Sequence, residues 1–144
     1  QERFAYSPEH VAELIHSLFA KRVRFHQDDG EVAPGITVHR MPGHTMGMQS
    51  VRVQTQRGWV LLASDASHFY EHWLKRIPFS ICWSREDLVS SYHQFEKLAE
   101  SQDHVIPGHD PMVRQLYPHS LKEVGNEIVR LDLNPNQSLQ AVFG

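Results

Sequence analysis

Three short segments constrain this chain more than its composition does: Pro42-Gly43-His44-Thr45-Met46-Gly47, Ala63-Ser64-Asp65-Ala66 and Ile106-Pro107-Gly108-His109-Asp110. Each puts one side chain able to ligate a metal just past a stretch of strand-like sequence. His44 and Asp65 are 21 residues apart, and Asp65 and His109 are 44 apart, too far to be neighbours on one helix face. The three can meet only where adjacent strands end at one rim of a sheet. Glycine beside both histidines permits the tight bends that aim a ligand inward. Imidazole nitrogen and carboxylate oxygen are good zinc ligands, and a carboxylate can bridge two metals. Singly, each residue has a plainer reading: a solvated loop histidine, or for Asp65 the N-cap of a following helix. All three in this order at strand ends favour a metal centre.

The pattern around these segments is that of an α/β unit with mostly antiparallel, locally connected strands. Ser7-Pro8 opens a helix over residues 8 to 20, whose apolar stripe is Val11, Leu14, Ile15, Leu18 and Phe19. Residues 21 to 26 read as a short strand with Val23 and Phe25 on one face, and turn signals follow at 27–30 and 34–35. Alternation predicts strands over 36–41 and 48–55, and the continuous apolar run 59–63 predicts a strand buried on both faces. Ser84-Arg85-Glu86-Asp87 is a capping box, and Leu88, Tyr92, Phe95 and Ala99 form the stripe of the helix behind it. Residues 104–107 and 127–133 read as two further short strands, and a polar tail is expected over 134–144. The domain reading is therefore one unit over 1–133 followed by that tail.

Composition excludes several classes of partner. The chain has 144 residues, enough for one domain. Its formal charge of -3, from 17 acidic and 14 basic side chains, is too small and too mixed to suggest nucleic acid or a membrane surface. No apolar run approaches the roughly 20 residues that span a bilayer. Cys82 is the single cysteine, so there is no internal disulfide, and its apolar neighbours make it a buried hydrophobe rather than a nucleophile. The chain begins at Gln1 with neither an initiator Met nor a signal-peptide pattern, which leads to the expectations of a fragment and of a cytoplasmic protein.

PGHTMG, then alternating strands, then LLASDA, then VIPGH resembles the later metal motifs of the metallo-β-lactamase superfamily. The wording of APGITVHRMPGHTMGMQSVRV, LLASDASHFYEHW and DHVIPGHDPMV resembles its N-acyl homoserine lactonase-like branch, from about Gln1 to Tyr117. The resemblance implies part of an αββα sandwich, its C-terminal half, with metals at one edge between the sheets. It implies that His44 ligates the first metal, that Asp65 bridges both, and that His109 ligates the second. The activity implied is hydrolysis of an ester or lactone by a hydroxide activated on two zinc ions, with a quorum-quenching role. A thioesterase of the glyoxalase II kind and a degenerate, non-catalytic binding module are the alternatives.

The chain departs from the family in one respect. The His-x-His-x-Asp-His segment is absent: His10, His16, His26 and His39 do not have that spacing. Four of the seven expected ligands are thus missing, and the chain alone is expected to be inactive. The inner sheet face, read as Val51, Val53, Leu61 and the 59–63 strand, is expected to need covering by the N-terminal half of the domain or by a second copy.

Two further features bear on the site. His68 and His72 stand at i and i+4, a spacing that puts a chelating pair on one helix face, although a solvated face is the plainer reading. The resemblance places a substrate-contacting tyrosine three residues after the bridging aspartate. That position holds His68 here, with Tyr70 two further on, so both enter the catalytic set beside Asp65. Phe69, Trp73, Ile77, Phe79, Ile81 and Trp83 form an apolar cluster read as packing in preference to an acyl-chain pocket.

Overall fold

The computed structural model describes residues 7–120 and 127–144. Five strands form one sheet in the order β1 to β5: Gly30–Ala33, Ile36–Arg40, Gln49–Thr55, Gly58–Ser64 and Val105–Pro107. The first four pair antiparallel, as short connections dictate, and β5 joins β4 in parallel. That parallel pairing requires a crossover, which consists of helices α2 (Tyr70–Leu74) and α3 (Arg85–Leu98). Helix α1 is Pro8–Phe19, α4 is Met112–Leu116 and α5 is Leu139–Phe143. The start of the family resemblance, at Gln1, lies outside the described residues.

Register assigns the two sheet faces. Ile36, Val38, Val51, Val53, Val60, Leu62 and Ile106 are aligned on one face; Thr37, His39, Ser50, Arg52, Leu61, Ala63 and Val105 share the other. The second face supplies Leu61, Ala63 and Val105 to a core with Trp73, Leu88, Tyr92 and Phe95 from α2 and α3. Ser84 caps α3 as its sequence suggests, its Oγ accepting the Asp87 N–H at 3.1 Å. On the first face Ile36, Val51, Val53 and Leu62 are only half-buried. Leu61 was expected with Val51 and Val53, but it pairs with Arg52 and is fully buried on the helix-covered side. Side chains alternate along a strand, so a continuous apolar run supplies both faces of the sheet and not one.

Several expected elements differ. Residues 21–26 form no strand: β1 holds the sheet edge beside β2, and Phe25 is left 71 % exposed. Over 127–133 only an isolated bridge joins His119 to Val129. Residues 134–144 are not a bare polar tail. Leu139 is buried, its N–H donates to Asp103 Oδ1 at 2.6 Å, and Phe143 lies against Tyr70. Among the described residues no helix is long and apolar enough to cross a membrane.

Candidate metal centre

Three loops at one end of the sheet carry the expected donors. His44 lies between β2 and β3, on a loop fastened to the start of α3. The Trp83 and Ser84 N–H groups donate to the Gly43 carbonyl at 2.8 and 3.0 Å, and Ser91 Oγ donates to the Pro42 carbonyl at 2.7 Å. Gly43 has φ +138°, and a Cβ there would meet the Leu88 Cα at 2.5 Å, so glycine is required twice over. His44 Nδ1–H donates to the Ile81 carbonyl at 2.8 Å. That bond fixes the tautomer and leaves Nε2 as the ligating atom, the usual outer support of a metal-bound histidine.

Asp65 follows β4 directly. Ser64 before it adopts φ +50°, a left-handed turn that swings the aspartate off the strand axis. It caps no helix, because α2 starts only at Tyr70. His109 follows β5, and its loop is tied to the Asp65 loop by Gly108 N–H to the Ser67 carbonyl (2.9 Å) and His109 N–H to the His68 carbonyl (3.0 Å). His109 Nε2–H donates to Asp65 Oδ1 at 2.6 Å.

His68 is drawn in as well. It precedes α2, so it forms no i, i+4 pair with His72 on a helix face; the two rings are 6.2 Å apart. Its Nε2 lies 3.5 Å from Asp65 Oδ1. Ligand atoms of His44, Asp65 and His68 all lie within 4.8 Å of one another. The tightest three-donor set among the described residues therefore has His68 where the sequence suggested His109, with His109 attached to the aspartate. The His68 ring stacks face to face on Phe79 with centroids 3.8 Å apart and planes at 17°. Burial, and then the nearby His109, hold its pKa below the usual histidine value against the pull of Asp65.

Tyr70 is the expected site residue that the structure does not bring here. Its side chain is fully buried against Phe143, and burial pushes its hydroxyl far above the ordinary phenol value. Its backbone N–H donates to Asp110 Oδ2 at 2.9 Å, while Asp110 Oδ1 accepts the Met112 N–H. Asp110 thereby joins the starts of α2 and α4 behind the ligand loops, a role its place after His109 did not announce. Of the apolar cluster expected to pack, Trp73 alone is fully buried. Phe69, Ile77, Ile81 and Trp83 are 42, 53, 74 and 61 % exposed. Cys82 is half-buried against the core. Three imidazoles and a carboxylate suit zinc or another borderline divalent ion better than calcium or magnesium.

No protein-family model matches the chain. It is 34% identical over 110 residues to an N-acyl homoserine lactonase of Bacillus sp, which covers 76% of this chain and 43% of that protein. The figures for the N-acyl homoserine lactonase of Bacillus cereus are 33% over 110 residues, with the same coverage of 76% and 43%. Among solved structures, an N-acyl homoserine lactone hydrolase with the product N-hexanoyl-L-homoserine bound at its catalytic metal centre superposes with TM-score 0.58. That match has 30% identity over 64% of this chain and 37% of that one. A probable metal-dependent hydrolase from Staphylococcus aureus shares the fold at TM-score 0.56, with 14% identity over 69% of this chain and 35% of that one. The sheet and its helical cover are those of the metallo-β-lactamase fold. Within it the chain is related to the N-acyl homoserine lactonase-like branch. It spans less than half the length of the curated relatives it matches.

Proposed function

We propose that this chain carries part of the active site of a metal-dependent hydrolase that opens an ester or lactone ring, an N-acyl homoserine lactone being the substrate favoured by its relatives. The observation that carries this reading is the convergence of His44, Asp65, His68 and His109 from three separate strand ends. His44, Asp65 and His109 would hold zinc here, His44 and His109 through imidazole nitrogen and Asp65 through its carboxylate. Bound zinc supplies Lewis acidity and lowers the pKa of a bound water to about 7.

The chain's own residues position and orient. The Ile81 carbonyl presets the His44 tautomer. The Ser67 and His68 carbonyls keep His109 beside Asp65. His68, its ring held by Phe79, is the polar group at hand for the substrate carbonyl. Tyr70 is a positioning residue that acts through Asp110. The exposed Phe69, Ile81 and Trp83 border this rim and give an acyl chain apolar surface to lie on.

The test is Asp65→Ala in the complete protein, assayed on N-hexanoyl homoserine lactone with metal content measured in parallel. Loss of a ligand lowers metal affinity and hydrolysis by at least about 100-fold, since even supporting residues are worth 10–100-fold. Retained hydrolysis in that variant would move the active site elsewhere.

A further inference from the structure

The site holds a donor that the two-zinc reading does not use as a ligand. We propose that His68 is a direct metal ligand and that His44, Asp65 and His68, with His109 beside them, let this chain hold one divalent transition-metal ion without any other segment. The inference rests on the metal-centre reading above but not on the hydrolase. It concerns a one-ion state of this chain rather than the two-ion centre.

Ligands of a tetrahedral zinc at about 2.0–2.1 Å from the ion are separated from one another by about 3.3 Å. His68 Nε2 and Asp65 Oδ1 stand 3.5 Å apart, close to that edge length. All three donor atoms fall within 4.8 Å of one another, so small rotations of side chains complete the triangle. His109 Nε2, at 2.6 Å from the same Asp65 oxygen, is close enough to become the fourth donor when an ion parts that contact. Two of these donors are already oriented by groups that are not ligands. His44 is held by the Ile81 carbonyl, and the His68 ring is held flat by Phe79. Such outer support is what distinguishes a built metal site from a chance meeting of histidines. His72 makes a useful contrast: its Nδ1 accepts the Phe69 N–H at 3.4 Å and its ring is the farther neighbour of His68.

The test titrates the 144-residue chain with cobalt(II) and then zinc(II), following the visible bands of four-coordinate cobalt and the stoichiometry by calorimetry. One equivalent is expected to bind. His68→Phe keeps the ring stacked on Phe79 but has no donor atom, and should weaken binding at least tenfold and flatten the visible bands. His72→Ala should change neither. His68→Cys keeps a donor, and should add a thiolate-to-cobalt charge-transfer band that no other residue in the cluster can produce. The proposal is overturned if the chain takes up no ion, if His68→Phe titrates like the parent, or if His68→Cys binds cobalt without the new band. No substrate enters the experiment, so failure of the lactonase reading leaves this result standing. Failure here leaves the two-zinc set of His44, Asp65 and His109 untouched.

Discussion

Gly108 packs directly on the backbone of Ser64: a Cβ built on Gly108 would lie 2.7 Å from the Ser64 carbonyl oxygen and 2.8 Å from its carbon. These residues immediately precede His109 and Asp65, so the contact between them sets the spacing of two donors. Gly108→Ala must push the loops apart at backbone atoms, which cannot swing away as a flexible side chain would. We expect a stability loss of about 1–3 kcal/mol in urea unfolding, together with weaker metal uptake. Gly47→Ala is the control, because a Cβ there meets nothing within 4 Å. Equal metal affinity in both variants would show that the Ser64–Gly108 contact does not set the site.

His72 separates the cluster from its surroundings. It lies 5.2 Å from Phe79 between ring centroids, yet it is not among the grouped donors. In the complete protein His72→Ala should leave lactone hydrolysis within a few-fold of the parent, while Asp65→Ala abolishes it. Initial rates on N-hexanoyl homoserine lactone decide this, and equal losses would place His72 in the active site.

How much of this was legible in the sequence depends on what kind of signal each residue carries. Strands β2 and β3 follow their alternation to within a residue or so, because register and burial act on the same period-two pattern, and β4 follows its continuous apolar run equally closely. His44, Asp65 and His109 were legible because each sits at a strand end, beside a glycine or a forced turn. Strand β1 was missed because four residues with Glu31 and Val32 exposed carry no apolar period. It exists because Pro34-Gly35 turns it onto β2, with Gly35 at φ +75°. Val23 and Phe25 alternate equally well but find no partner strand among the described residues. His68 was placed on a helix because i, i+4 spacing cannot report that α2 starts two residues later, at Tyr70.

Asp29 ties the loop before β1 to the sheet. Its Oδ2 accepts from His39 Nδ1 at 2.8 Å, and its Oδ1 accepts the Arg40 N–H at 3.0 Å. Burial pushes the carboxyl up, but the His39 hydrogen bond, the Arg40 N–H and the charge of His39 outweigh it and hold the pKa below the usual aspartate value. A depressed carboxyl pKa contributes stability that is present above the unfolded value, about 3.9, and is lost as pH falls through the folded one. The gap in urea midpoint between the parent chain and Asp29→Asn should therefore be open at pH 6 and close below about pH 4. A gap independent of pH would mean that the ionised carboxylate contributes nothing there.

Helix α1 carries the last expectation. Val11, Leu14, Ile15 and Leu18 line one face at 45, 54, 51 and 43 % exposure, Phe19 is 84 % exposed, and no residue of the helix is buried. A helix of 12 residues is marginal in water without a packed face, since isolated helices below about 12–15 residues rarely hold. The half-buried sheet face of Ile36, Val51, Val53 and Leu62 adds a second apolar surface. Contiguous apolar area beyond a few hundred square ångströms is unusual on a soluble monomer. The 144-residue chain should therefore self-associate in sedimentation velocity as its concentration rises, and should bind an apolar dye. Leu14→Glu with Leu18→Glu should shift it towards monomer and lower the dye signal without changing metal uptake, because neither residue is among the grouped donors. A parent chain that stays monomeric at every concentration and binds no dye would show that these faces need no cover.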